Sequence, residues 1–148
     1  MHLRKFLFLL LLSLPLLAWA DSDLVKKQSA HGVKETMDRL EALVKEKGMS
    51  VFARIDHRAN AESVGQSMPD SQVLIFGDPK AGTRIMLQDL AAALDLPLRV
   101  LAYSDSGGNT WVLYHNPQGL KNSFGVGDSK VIGKVEGALD KMTDQVIQ

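Results

Sequence analysis

From Ser71 to Leu96 the chain reads as a buried strand, a tight polar loop and a helix. Val73, Leu74, Ile75 and Phe76 form an unbroken apolar run, the pattern of a strand covered on both faces. Gly77-Asp78-Pro79 ends that run, because Pro79 has no N–H to give a ladder and Gly77 tolerates unusual dihedrals. Thr83 is read as the N-cap of a helix in which Met86, Leu87, Leu90 and Leu94 recur at helical spacing. Such a unit demands a sheet with a layer packed on it. It also delivers Lys80 to a loop at the end of a core strand, beside a helix N-terminus.

The first residues form an address. His2, Arg4 and Lys5 make a basic start, residues 6–17 are almost wholly apolar, and Ala18-Trp19-Ala20 is an Ala-x-Ala cleavage site before Asp21. A membrane span needs about 20 apolar residues, so this shorter run, interrupted by Pro15, fits a cleaved signal better than an anchor. The expectation is export into a bacterial periplasm or beyond, with Asp21 as the first mature residue and no stable membrane anchor after cleavage. No Cys follows the cleavage site, which excludes a lipid-modified N-terminus there.

Residues 21–148 are enough for one domain with its own core. The whole chain balances 17 basic against 17 acidic residues, and losing Arg4 and Lys5 gives the mature chain a net charge of −2. A near-neutral surface of that kind argues against nucleic acid, which would need a basic face. With no cysteine, disulfides, thiolate nucleophiles and Cys-ligated metals are all ruled out, and the fold rests on its core alone.

Around the central unit the pattern predicts more strands than crossover helices. Leu24 to Ser29 reads as an edge strand, and Gly32 to Lys47 as a helix with Val33, Met37, Leu40 and Val44 on one face and Gly48 as its stop. Met49 to His57 alternates, which places Met49, Val51, Ala53, Ile55 and His57 on one side and Phe52, Arg54 and Asp56 on the other. Residues 98–104 and 109–115 are strands joined by the turn signal Asp105-Ser106-Gly107-Gly108, and Asn116-Pro117 starts a short helix. Asp128 is placed as the cap of a last helix with Val131, Val135, Leu139, Met142 and Val146 on one stripe. Gly133 and Gly137 weaken that helix and suggest close packing there. Hairpin-linked strands favour an antiparallel sheet, so the expected fold class is α+β: a two-layer sandwich of about five strands with helices packed on it. On the registers assumed, Phe52, Leu74, Phe76, Leu101 and Tyr103 occupy the face opposite the core, and something must cover them.

Several stretches also resemble a known family. Residues 51–57 (VFARIDH), 59–61 (ANA), 74–83 (LIFGDPKAGT), 93–98 (ALDLPL) and the strand from Trp111 to Tyr114 are similar, in order, to domain of unknown function 302. The resemblance implies a curved antiparallel sheet like one repeat of the TATA-binding-protein fold, and a tendency to pair as a homodimer. It implies no activity. Asp78 stands where that family often carries Asn.

The candidate ligand-binding residues are Asp56, His57, Asp78, Lys80 and Thr83. If the two strand ends meet, they form either a pocket for a small anionic ligand, helped by free N–H groups at the helix start, or an acid–base pair. The bland alternative is a structural ion pair, with His57 holding a loop. Copper handling by His31, His57 and His115 with Met49, Met68 and Met86 is a further alternative, though no two of them have ligand spacing. No phosphate loop, nucleophilic serine or cofactor signature is present. The reading is therefore a secreted, non-catalytic binding or sensing module, with a small His57/Lys80 enzyme as the first alternative and a metal handler as the second.

Overall fold

Five strands, β1 (Leu24–Ser29), β2 (Ser50–Asp56), β3 (Ser71–Gly77), β4 (Leu98–Ser104) and β5 (Thr110–His115), form one sheet in the order β1-β5-β4-β3-β2. Every neighbouring pair is antiparallel. The computed structural model describes residues 23–127 and 129–148. The expected leader (residues 1–20), its cleavage point and the Asp128 cap lie outside the described residues.

Helices α1 (Val33–Glu46) and α5 (Ser129–Val146) supply the second layer, with the short α2 (His57–Ser63), α3 (Pro79–Met86) and α4 (Gly119–Ser123) between them in the chain. Val33, Met37, Leu40 and Val44 of α1 are buried against Leu74 and Phe76 of β3, Val100 and Ala102 of β4, and Val112 of β5. Leu139, Met142 and Val146 of α5 complete that cluster. The chain is thus an α+β two-layer sandwich, as the strand count and the hairpin indicate. A smaller cluster joins Ile85, Ala92, Leu120 and Val126 to Val131 and Ile132 at the start of α5.

Polar groups inside these layers are paired. Thr36, fully buried, donates to the Gly32 carbonyl at 2.9 Å and shares a 2.8 Å bond with Ser29. Lys27 on the edge strand reaches over to α5, where Asp140 and Asp144 accept at 2.6 Å each and Thr143 Oγ1 at 2.9 Å. Burial works against the Lys27 charge, but those carboxylates outweigh it and raise its pKa. The edge strand is therefore fastened to the last helix by charge as well as by packing.

Three expectations are corrected. Leu74 and Phe76 do not lie on the face away from the core: both are fully buried beneath α1. In β2 a bulge between Val51 and Ala53 spends one residue and reverses the alternation beyond it. Val51 then pairs with Phe76 on the helical side, Ala53 and Ile55 point away, and Phe52 is left 54% exposed. Second, Thr83 caps nothing. The helix α3 (Pro79–Met86) starts earlier, capped by Asp78 with Pro79 in its first turn. It ends at Met86, and a separate 3₁₀ turn (Leu90–Leu94) follows under its own Asp89 cap. Leu87, Leu90 and Leu94, expected inside, are each more than three-quarters exposed. Third, a Cβ added at Gly133 or Gly137 would meet nothing within 4 Å, so neither glycine marks a close approach.

Candidate functional site

Two strand-to-helix junctions carry the candidate residues, and each is built around an aspartate. At the end of β2, Asp56 caps α2 (His57–Ser63) by accepting from the Ala59 N–H at 2.9 Å. Its other oxygen accepts from Gln72 Nε2 at 3.0 Å, so both oxygens are used structurally. At the end of β3, Asp78 accepts from the Lys80 N–H at 2.8 Å and fixes the first turn of α3. An Asp-Pro pair suits this position, because the carboxylate satisfies a free N–H and Pro79 has the helical φ already set.

The junctions do not meet. Asp56 pairs across the ladder with Gln72, and Ser50 with Gly77, so the antiparallel strands put His57 and Lys80 at opposite ends of the sheet. Seven-residue strands hold such ends roughly 20 Å apart. Asp56 and His57 belong to one end; Asp78, Lys80 and Thr83 belong to the other. The acid–base pair of His57 with Lys80 has no geometry here.

The second end opens into a cavity. A groove of about 700 Å³ runs between α3, α5 and the ends of the strands. Its walls include Met49, Phe52, Ile85, Leu98, Val135 and Met142, and Asp78, Lys80 and Thr83 stand along it. The volume lies within the ~300–1,000 Å³ typical of small-molecule sites. Four cations border it: Lys47, Lys80, Arg84 and Lys134. Among the described residues none of these four side chains forms an ion pair.

At the His57 end the positive side chains have partners. Arg54 of β2 bonds Asp38 at 2.6 Å and Glu41 at 3.2 Å, and Arg58 of α2 bonds Asp70 at 2.7 Å and Glu62 at 2.9 Å. Lys34 with Asp38 and Lys45 with Glu41 hold both carboxylates low, with Arg54 adding to each effect. Asp70 and Glu62 raise the Arg58 pKa above its ordinary value. The His57 end is thus electrostatically closed, whereas the Lys80 end combines apolar walls with four cations that form no ion pair among the described residues.

Sequence reasoning found Asp78, Lys80 and Thr83 and missed Lys47, Arg84 and Lys134. The lysines come from the end of α1 and from α5, so only the folded chain gathers them around Lys80. Lys134 did leave a trace, lying beside Val131 and Val135 on the border of the apolar stripe of α5. No group of three His, Asp or Glu side chains that could hold a metal ion occurs among the described residues. Met49 and Met86 line the groove, while His57 stands at the far end and His115 on β5.

A family model described as domain of unknown function DUF302 matches residues 25–146, nearly the whole described chain. The chain belongs to the DUF302 family. A crystal structure of an uncharacterized conserved DUF302 protein from Bacillus stearothermophilus superposes with a TM-score of 0.65 over 84% of this chain and 94% of that one. At 17% identity, that likeness concerns the fold. A protein from Brucella suis named fluoride-specific ion channel FluC 1 is 39% identical over 113 residues, covering 76% of this chain and 44% of its own length. A protein of the same name from Brucella abortus matches equally well over 42% of its length. This DUF302 chain spans less than half the length of the curated relatives it matches.

Proposed function

We propose that this DUF302 domain is an exported, non-catalytic binding module that takes a small anionic amphiphile, such as an aliphatic carboxylate, into the groove between α3 and α5. The observation that carries the proposal is the pairing of an apolar cavity with Lys47, Lys80, Arg84 and Lys134, none of them in an ion pair among the described residues. Methionine and aliphatic walls bind a hydrocarbon tail through the area removed from water, about 25 cal/mol per Å². Cations at a low-dielectric wall attract a single anionic head more strongly than they would in open water. Asp78 holds α3 in place and so fixes where Lys80 and Arg84 leave the helix. The leader-like start of the sequence supports export, and N-terminal sequencing of protein expressed with its own leader is expected to find Asp21 first.

Calorimetric titration of the mature chain with dodecanoate, dodecanol and sodium fluoride tests the binding proposal. Saturable one-to-one binding of dodecanoate, with much weaker binding of the uncharged alcohol, is the expected result. Fluoride, the ion in the name of the Brucella relatives, is small and strongly hydrated and gains nothing from apolar walls. Binding of fluoride without dodecanoate would replace the amphiphile with a bare anion.

A further inference from the structure

The segment from Leu87 to Leu94 holds three leucines in water. Leu87, Leu90 and Leu94 are each more than three-quarters exposed and belong to neither buried cluster, while Ile85 and Ala92 of the same stretch are buried. An exposed leucine here and there is ordinary, but three within one short segment form a patch. The backbone that carries them is braced. Asp89 accepts from the Ala91 N–H at 2.9 Å and from the Gly125 N–H at 2.8 Å, and the Leu87 N–H reaches the Thr83 carbonyl at 2.9 Å. The leucines thus stand on a fixed ridge formed by the end of α3 and the 3₁₀ turn.

Positive charge runs into this ridge. Lys80, Arg84 and Leu87 recur at i, i+4 and i+7, so they share one face of α3 and its last turn, with Ile85 turned to the interior. Neither Lys80 nor Arg84 forms an ion pair among the described residues. The carboxylates of the segment are engaged: Asp78 and Asp89 accept from backbone N–H groups, and Asp95 lies 3.5 Å from Arg99. We propose that this ridge docks reversibly on an anionic phospholipid bilayer, the leucines entering the acyl boundary and the cations meeting the headgroups. Charge complementarity selects that occupant. A second copy about a two-fold axis would set Lys80 and Arg84 against their own kind, whereas an anionic surface neutralises them. Met86 of α3 and Ala93 of the 3₁₀ turn also wall the groove, so docking brings the groove beside the layer in which anionic amphiphiles dissolve. What docking delivers to the groove rests on the amphiphile reading; the docking itself rests on the leucines and cations alone.

Sedimentation of the mature chain with sucrose-loaded vesicles, without added fatty acid, provides the test. Vesicles of phosphatidylcholine containing about one third phosphatidylglycerol should carry the protein down roughly tenfold more tightly than pure phosphatidylcholine, and added salt should erode the difference. Leu90→Ser/Leu94→Ser should weaken binding to the anionic vesicles about tenfold or more. Neither leucine is a wall of the groove, so calorimetric titration of that variant with dodecanoate should match the wild type. Should the variant fail to fold, the wild-type comparison of the two vesicles still decides. A wild type that binds dodecanoate but neither vesicle would overturn the docking surface and leave the groove reading standing. Vesicle binding without dodecanoate binding would do the reverse. Equal binding to the two vesicles, a folded double variant that still binds them fully, or leucine-dependent self-association without vesicle binding would each overturn the proposal.

Discussion

The two junctions at opposite ends of β2 and β3 share one local design and differ in what surrounds it. Each ends a strand with an aspartate that caps the next helix, Asp56 for α2 and Asp78 for α3. At the Asp56 end the second carboxylate oxygen is occupied by Gln72, and Arg58 is held by Glu62 and Asp70. At the Asp78 end, four cations without carboxylate partners among the described residues face an apolar groove. The capping chemistry is structural in both places. What separates a scaffold joint from a candidate site is unspent charge beside removable apolar surface, and a motif of Asp followed by a helix carries no information about it.

The largest expected effect falls on what the junctions share. Phe76 is fully buried two residues before Asp78, and Phe76→Ala should cost ~3–5 kcal/mol in urea unfolding, as large core truncations do. An unchanged melting temperature would mean that β3 is not central. The caps come next. Asp78→Ala should cost about 1 kcal/mol, the ordinary loss of an N-cap. Asp56→Ala should cost more, since it also strips Gln72 of its acceptor. Equal losses would show that the Gln72 bond adds nothing to the closed end.

Acid should act on the bonded carboxylates. Hydrogen bonds from Lys34, Lys45, Gln118 and Lys27 lead in holding Asp38, Glu41, Glu136 and Asp140 below their ordinary values. The Trp111 indole and the Asn109 N–H hold Asp105 at about 2. A depressed carboxylate stabilises the fold fully above its unfolded pKa, and that stability is lost as pH falls through the folded value. Stability should therefore be level from pH 7 to 5 and decline from about 4.5 down to 2, read as the urea midpoint. A rise in stability over that window would contradict the ion-pair geometry of the closed end. The smallest effect is at Lys80: as an exposed side chain outside every ion pair of the described residues, Lys80→Met should leave stability within ~0.5 kcal/mol. A larger loss would move Lys80 from binding to structure.

The sequence showed these regions unequally, for physical reasons. The five strands and α1 follow from periodicities local to each segment, and Gly48 stops α1 at a positive φ of 71° as expected. The face assignment of β2 failed because one bulge at Phe52 exchanges inside and outside for everything on one side of it. The start of α3 was misplaced because Thr83 and Asp78 are both competent caps, and only the Asp-Pro pair coincides with the strand end. Lys80 was legible as a cation on a rigid turn. Its companions were not, since Lys47 and Lys134 reach the groove only through the docking of α1 and α5. The distance from His57 to Lys80 was likewise open until strand direction was known.

The contrast between the two ends is tested most directly by measuring dodecanoate affinity by calorimetry for the wild type, Lys80→Met and Arg58→Met. The open-end account predicts that Lys80→Met weakens binding about tenfold, or ~1.4 kcal/mol, while Arg58→Met, whose charge is already spent on Glu62 and Asp70, leaves it unchanged. Equal weakening in the two variants, or none in Lys80→Met, would contradict it.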